Sequence, residues 1–163
     1  MENKKLVRLS LMLTLGLILG LLESILPPLP IPGVKLGLAN IVNVVVLYSD
    51  GFVESLLLSL ARVMILSIFL GSFLSITFYI SLSGALASVT GMSLVYNLFG
   101  RDLSPISLSS FGAFMHICAQ LLTVSILMNT RDVLYLFPLL SILGVMTGII
   151  TGVISSYILK LKL

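Results

Sequence analysis

The chain has 163 residues, of which 58% are apolar and only 9% are Asp, Glu, Lys or Arg. Soluble domains carry about 25% charged residues, so this composition excludes an ordinary soluble protein and favours one integral membrane domain over residues 1–163. The net charge of +3 is typical of the Lys and Arg residues that set membrane topology, and we do not expect nucleic-acid binding from it.

Six apolar stretches divide the chain into predicted membrane-spanning helices. A helix that crosses ~30 Å of hydrocarbon needs about 20 residues, so six crossings nearly exhaust the sequence. The second stretch is short, which predicts a helix that is tilted or crosses only part of the bilayer. We therefore predict an all-α integral membrane protein with six transmembrane helices. The predicted spans cover residues 9–26, 36–48, 52–70, 73–99, 106–128 and 133–159.

The segments between the predicted spans contain turn-forming residues. The pair Gly71-Ser72 is the weakest of these signals. It leaves open an alternative with one long kinked helix across that point and five spans in total. The segments are residues 27–33, 49–51, 71–72, 100–105 and 129–132.

The distribution of basic residues predicts the orientation in the membrane. With the N-terminus inside, the inner side would hold six basic residues and the outer side would hold two, Lys35 and Arg131. The positive-inside rule therefore favours a plasma-membrane protein with both termini in the cytoplasm. The six inner residues are Lys4, Lys5, Arg8, Arg101, Lys160 and Lys162.

Polar residues within or beside the apolar stretches are the candidates for function. Arg62 lies at the middle of the third span, and a central Arg costs at least ~2.5–3.5 kcal/mol on insertion scales, so it should face a partner or a water-filled cavity. Ser55 and Ser59 share a helical face with Arg62, and Gln120 lies one turn after His116. The predicted substrate-binding residues are Glu23, Lys35, Asn40, Asn43, Arg62, His116 and Gln120.

The predicted depths place these residues in the middle and the outer half of the bundle, which predicts a cavity that opens to the outside. Lys35 and Arg62 against Glu23 leave one net positive charge, and His116 could add another. Such a cavity would suit an anionic or strongly hydrogen-bonding solute. Structural alternatives stay open: Glu23 as an ion-pair partner of either cation, His116 as an interhelical hydrogen bonder, and Asn40 and Asn43 as partners of backbone groups freed by the proline turn.

Small residues recur at every fourth position in several predicted spans, which allows helix backbones to approach closely in lipid. The sixth span has Gly144, Gly148 and Gly152, and the first has Gly16 and Gly20. Internal packing is the favoured interpretation. For Gly16 and Gly20 the alternative is a face that docks to another membrane subunit.

Residue patterns of known enzymes are absent from the sequence. It contains no P-loop, no Asp-rich prenyltransferase motif, no metal-spaced cluster of His and Cys, and no Gly-x-Ser-x-Gly. Its one cysteine, Cys118, permits no intramolecular disulfide. We therefore expect a protein that is not an enzyme and that uses neither a metal nor a cofactor.

A specific motif lies between the first two predicted spans. Residues 27–42 read Pro-Pro-Leu-Pro-Ile-Pro-Gly-Val-Lys-Leu-Gly-Leu-Ala-Asn-Ile-Val. Together with residues 54–62 (Glu-Ser-Leu-Leu-Leu-Ser-Leu-Ala-Arg), His116 and Gln120, this motif resembles the Gx transporter family. Members of that family are often labelled heptaprenyl diphosphate synthase component I. The resemblance covers essentially the whole chain.

The resemblance implies a six-helix bundle similar to the substrate-binding S components of energy-coupling factor (ECF) transporters. It implies capture of a small solute from outside, with the lipid bilayer, an ECF T component and ATPase subunits as partners. Two alternatives stay open, a non-catalytic membrane partner of a prenyl diphosphate synthase and a stand-alone carrier or channel. The enzyme label of the family has no counterpart among the residues of this chain.

Overall fold

The computed structural model describes residues 2–25, 35, 37–100 and 103–161. Within these residues it contains six α-helices, and a 3₁₀-helix at Asp132–Leu136 precedes the last of them. All of these α-helices except the second are long and apolar enough to cross a membrane, which confirms the predicted all-α, multi-pass architecture. The helices are α1 (Glu2–Ile25), α2 (Asn40–Ser49), α3 (Phe52–Phe69), α4 (Ile76–Phe99), α5 (Pro105–Leu127) and α6 (Phe137–Lys160).

Parts of three predictions lie outside the described residues. One is the proline-rich turn at residues 27–33. Another is the pair of boundaries around it, the end of the first span at Leu26 and the start of the second at Leu36. The third concerns two of the basic residues assigned to the inner side, Arg101 and Lys162.

Four helix starts differ from the predicted boundaries by three residues or more. α1 begins at Glu2, well before residue 9, because the charged residues that precede its apolar run are good helix formers. α2 begins at Asn40 instead of residue 36. Gly37 has a φ of +86°, which is not helical, and its carbonyl accepts the hydrogen bond of the Asn40 N–H at 2.9 Å. α4 begins at Ile76 instead of residue 73, after the turn described below, and α6 begins at Phe137 instead of residue 133, because the 3₁₀-helix precedes it.

A tight turn separates α3 from α4 at the weakest predicted break. Gly71 and Leu74 adopt φ values of +64° and +59°, and a right-handed helix cannot continue through these conformations. Ser75 caps the start of α4, because its hydroxyl accepts a hydrogen bond from the Phe78 N–H at 3.4 Å. The chain therefore forms two helices here, and the alternative of one kinked helix is wrong.

Glycines hold α6 close to α5. A methyl group placed on Gly148 would lie 2.5 Å from the Cα of Ser110, and one on Gly152 would lie 2.5 Å from the Cα of Ile106. Real side chains do not tolerate such distances to a backbone. The small residues of α6 therefore serve internal packing, as predicted.

Gly16 and Gly20 pack α1 against its neighbours inside the bundle, and both are buried. A methyl group on Gly16 would lie 3.3 Å from the Cδ of Arg62, and one on Gly20 would overlap the side chain of Leu66 on α3. This geometry favours internal packing, and docking of another subunit at these two glycines stays a prediction. A partner that leaves this packing in place would meet the exposed face of α1, which carries Leu11.

Two ion pairs join the first turns of α1 to the end of α2 and to the first turn of α3. Lys5 Nζ lies 2.5 Å from Glu54 Oε1. The guanidinium of Arg8 donates to Asp50 Oδ1, and the side chain of Asp50 is 3% exposed. We call these four residues the ionic end of the bundle.

The last helix returns to the ionic end. Ile158 and Leu159 pack with Leu9 and Leu13 of α1 against the buried residues around Met12. The two ends of the described chain therefore lie on one side of the bundle. α2 is much shorter than the other helices. It has only ten residues, a length of about 15 Å, and almost all of them are buried.

Candidate functional site

Five of the seven predicted site residues come together where α2, α3 and α5 meet. Asn40, Asn43 and Gln120 are each 0% exposed, and Arg62 and His116 are 6% and 5% exposed. Helical spacing explains the arrangement, because residues three or four apart share a face of a helix. We call these five side chains the polar cluster.

The backbone of Gly37 links the α2 and α5 parts of the polar cluster. A methyl group on Gly37 would lie 2.9 Å from Asn40 Nδ2 and 3.7 Å from His116 Cδ2. Asn43 Nδ2 in turn donates to Asn40 Oδ1 at 3.3 Å. Gly37 also has a positive φ, so a side chain here would be strained and would displace Asn40. The sequence prediction misses Gly37, although it lies in the motif that carries the family resemblance.

α3 is tied to α2 by the serines that precede Arg62. Ser55 Oγ donates to the carbonyl of Asn43 at 3.0 Å, and Asn43 Nδ2 donates to Ser59 Oγ at 3.4 Å. Both serines are buried. The predicted common face of Ser55, Ser59 and Arg62 therefore packs against α2. This orientation places the guanidinium of Arg62 in the polar cluster.

α4 contacts the α5 part of the polar cluster through small residues. A methyl group on Gly84 would lie 2.8 Å from both His116 Cε1 and Gln120 Cγ. One turn later, Ser88 is fully buried, and its hydroxyl has no hydrogen-bond partner among the described residues. The sequence prediction misses Gly84 and Ser88, because small residues in membrane helices indicate packing first.

Glu23 and Lys35 lie at the rim of the polar cluster, and both are partly buried. Glu23 Oε1 accepts hydrogen bonds from the backbone N–H groups of Gly37 (2.6 Å) and Leu38 (3.4 Å). The backbone N–H of Lys35 donates to Gln120 Oε1 at 3.1 Å. Glu23 thus fastens the segment before α2 to α1, which differs from the ion pair considered for it above.

The cations of the site form no salt bridge within the described part of the chain, where the ion pairs are those of the ionic end. Lys35 and Arg62 nevertheless lie within electrostatic range of Glu23. His116 lies within range of both cations. The site therefore combines two cations without an ion-pair partner among the described residues, one carboxylate and one imidazole.

Every member of the polar cluster keeps a buried polar atom that has no hydrogen-bond partner among the described residues. Buried polar atoms in proteins normally have partners, so their concentration at one place marks this region as the candidate site. Most of these atoms are donors, which suits a solute with acceptor oxygens. They are Asn40 Nδ2, Asn43 Oδ1, Arg62 Nε, His116 Nδ1 and Nε2, and Gln120 Nε2.

The chemistry available at the site is hydrogen bonding and charge attraction. In the described ranges, no group of three His, Cys, Asp or Glu side chains is placed to hold a metal ion. Cys118 is a free, partly buried thiol. The groups that converge at the site are amides, a guanidinium, an imidazole and a hydroxyl, and such groups bind and orient a solute.

The family model of heptaprenyl diphosphate synthase component I matches residues 12–158. The chain belongs to this family. The match includes the whole polar cluster and both rim residues, and it confirms the family recognised from the sequence motifs. The family name describes a component of a heptaprenyl diphosphate synthase, and the helices make this member a membrane component. Neither the curated proteins nor the solved structures contain a match to the chain.

Proposed function

We propose that the chain is the membrane-embedded, solute-binding subunit of a transporter, similar to an ECF S component. It captures a small anionic or polar-headed solute from outside and does not catalyse a reaction. The observation that carries this proposal is the polar cluster, in which five buried side chains from three helices keep unpartnered hydrogen-bonding atoms at one place.

The energetics of burial support a binding role. Each buried donor or acceptor without a partner costs about 1–3 kcal/mol, and a charged group costs more. A fold selected for stability alone would pair these groups or replace them with apolar side chains. A bound solute offsets the cost, because it supplies the missing partners.

The positions of the side chains suggest their roles. Arg62, Lys35 and His116 bind the polar or anionic part of the solute. The amides of Asn40, Asn43 and Gln120 fix its orientation. Glu23 holds the segment that carries Lys35, through its hydrogen bonds to the backbone at residues 37 and 38.

We also propose that the ionic end faces the cytoplasm, as the positive-inside rule favours. Single cysteines at the exposed residues Ser104 and Asn129, in protein whose Cys118 is replaced, should then react from the inside and from the outside, respectively. The reverse labelling would place the polar cluster in the inner half of the membrane. Delivery of the solute would require a T component and ATPase subunits, which should co-purify with the chain.

The family name favours a second candidate function, a non-catalytic membrane partner of a prenyl diphosphate synthase. This candidate predicts that a soluble synthase subunit co-purifies with the chain and that substitutions in the polar cluster leave the synthase activity unchanged. A stand-alone carrier would co-purify with neither set of partners. Neighbouring genes for ATPases and a T component would favour the transport subunit.

The test is to identify a co-purified solute by native mass spectrometry and to titrate it into variants. Arg62→Gln removes a charge-assisted hydrogen bond, which is worth about 1.5–3 kcal/mol, so affinity should fall roughly 10- to 150-fold. His116→Ala and Lys35→Gln should also weaken binding. Arg131→Gln is the matched control, because Arg131 is exposed and is not a member of the cluster. Unchanged affinity in all three site variants would make the cluster a structural network.

A further inference from the structure

We infer that the solute of the polar cluster carries a single negative charge, as a carboxylate or a phosphodiester does, and that a diphosphate is excluded. This inference rests on the proposed binding function and names the substrate class of the same site. It follows from the charges that the described residues place at the site, and from the cations that are paired or exposed in other parts of the protein.

Arg62 is the one charge of the polar cluster itself, and it is 6% exposed. The rim adds Lys35 and Glu23, which are partly buried and opposite in sign. These two offset each other, so the site has one net positive charge whether the rim is counted or left out. His116 adds none in its neutral form, the major form of an imidazole at pH 7. One negative charge on the solute therefore balances the site.

The other described cations are not available to balance a more highly charged solute. Lys5 and Arg8 are paired with carboxylates at the ionic end. Lys160, on the last turn of α6, lies over the ring of Tyr157. Lys4 is exposed near the start of α1, and Arg131 is exposed at the start of the 3₁₀-helix. The remaining donors of the cluster are neutral amides, which provide hydrogen bonds without cancelling a second buried charge.

A magnesium ion would find few protein ligands for a diphosphate at this site. Mg²⁺ is usually held by one or two carboxylates in addition to substrate phosphates. In the described part of the chain, Glu23 is the carboxylate next to the cluster, and its Oε1 already accepts two backbone hydrogen bonds. Asp50 and Glu54 belong to the ionic end. A diphosphate would thus bring charges that the protein alone does not compensate, and a magnesium ion would find one described carboxylate beside the cluster, with one of its oxygens already engaged.

The test compares probes of different charge at matched ionic strength. Acetate and dimethyl phosphate serve as singly charged probes, and inorganic pyrophosphate and isopentenyl diphosphate, with and without Mg²⁺, serve as multiply charged probes. Each is titrated into the full-length protein in detergent, with the melting temperature as the readout. At least one singly charged probe should raise it at a concentration about ten-fold lower than any diphosphate does. The responding probe distinguishes a carboxylate from a phosphodiester.

Charge variants make the test specific for the site. Arg62→Gln should abolish the response to singly charged probes, and Arg62→Lys, which keeps the charge, should retain part of it. Glu23→Gln keeps an acceptor oxygen for the backbone at residues 37 and 38 but raises the net charge. It should therefore improve pyrophosphate binding about ten-fold, whereas the exposed control Arg131→Gln should change neither response.

The possible outcomes separate this inference from the proposed function. If the diphosphates bind the wild-type protein more tightly than the singly charged probes and lose affinity in Arg62→Gln, the charge inference is wrong and the binding function stands. An unchanged preference in Glu23→Gln would also contradict the inference. If no probe responds and native mass spectrometry finds no solute, both the inference and the proposed function are wrong.

Discussion

At the ionic end of the bundle, Arg8 meets the carboxylate of Asp50 and Lys5 meets that of Glu54. Deeper in the membrane domain, Arg62 is more buried than either of them and forms no salt bridge in the described part of the chain. α1 thus carries paired cations at one level, and α3 carries a cation without a described ion-pair partner at another. The fold can place carboxylates against cations at the ionic end, so the isolation of Arg62 among the described residues is a property of its site.

Substitutions in the ionic end and in the polar cluster should therefore have different effects. Groups at the ionic end stabilise the bundle and should leave solute binding unchanged. Groups of the polar cluster should control solute binding, and some of them lower the stability of the empty protein. A variant series with both readouts, melting temperature and affinity, tests this division.

The largest loss of stability is expected from Arg8→Met. This change leaves the Asp50 carboxylate buried without its partner, and breaking a buried ion pair costs about 3–5 kcal/mol. Because Arg8 itself is partly exposed, we expect a loss of about 3 kcal/mol, measured as reversible unfolding in detergent. The double variant Arg8→Met/Asp50→Leu should recover most of it. Reduced solute affinity in a folded Arg8→Met protein would contradict the division.

A gain in stability is expected from Arg62→Met. An apolar side chain of similar length removes a buried donor that has no partner, which is worth about 1–3 kcal/mol, and it should abolish solute binding. The exposed Arg131→Met is the control and should change neither quantity. If Arg62→Met instead unfolds the protein, Arg62 is a structural residue, and the contrast with the ionic end disappears.

Gly84→Ala should weaken solute binding without removing a polar group. The added methyl group would displace His116 and Gln120, and overpacking of this kind typically costs about 1–3 kcal/mol. Gly91→Ala on the same helix is the matched control, because its methyl group meets the flexible side chain of Met115 at 3.0 Å. Equal effects of the two substitutions on affinity would show that position 84 has no special role.

The smallest effect is expected from Lys5→Gln. The ion pair of Lys5 with Glu54 is exposed, and exposed pairs contribute little to stability. The loss should diminish further as salt is added, because salt screens exposed charges. If Lys5→Gln lost more stability than Arg8→Met, burial would not determine which of the two ion pairs contributes more.

Much of the fold could be predicted from the sequence, because long apolar stretches separated by turn residues determine the order of the helices. The exact boundaries could not, since hydropathy marks the apolar part of a helix and not its hydrogen bonds. α1 continues through charged residues to Glu2, and α2 is delayed to Asn40 by the left-handed conformation of Gly37.

The candidate site was partly predictable for a related reason. Polar residues stand out in apolar helices, so Arg62, His116 and Gln120 were identifiable, and helical spacing placed them on common faces. Partner choice was not predictable. The pairing of Arg8 with Asp50 joins residues 42 positions apart, and the capture of backbone N–H groups by Glu23 depends on the path of the chain between α1 and α2.

The short length of α2 has an electrostatic consequence. Its ten residues span about 15 Å and end at the ionic end, so its first residue, Asn40, lies inside the bundle in the polar cluster instead of at a membrane surface. The aligned peptide dipoles of a helix place a partial positive charge of about half a unit at the N-terminus. In the low-dielectric interior of a membrane, this partial charge adds to the attraction that Arg62 exerts on an anion.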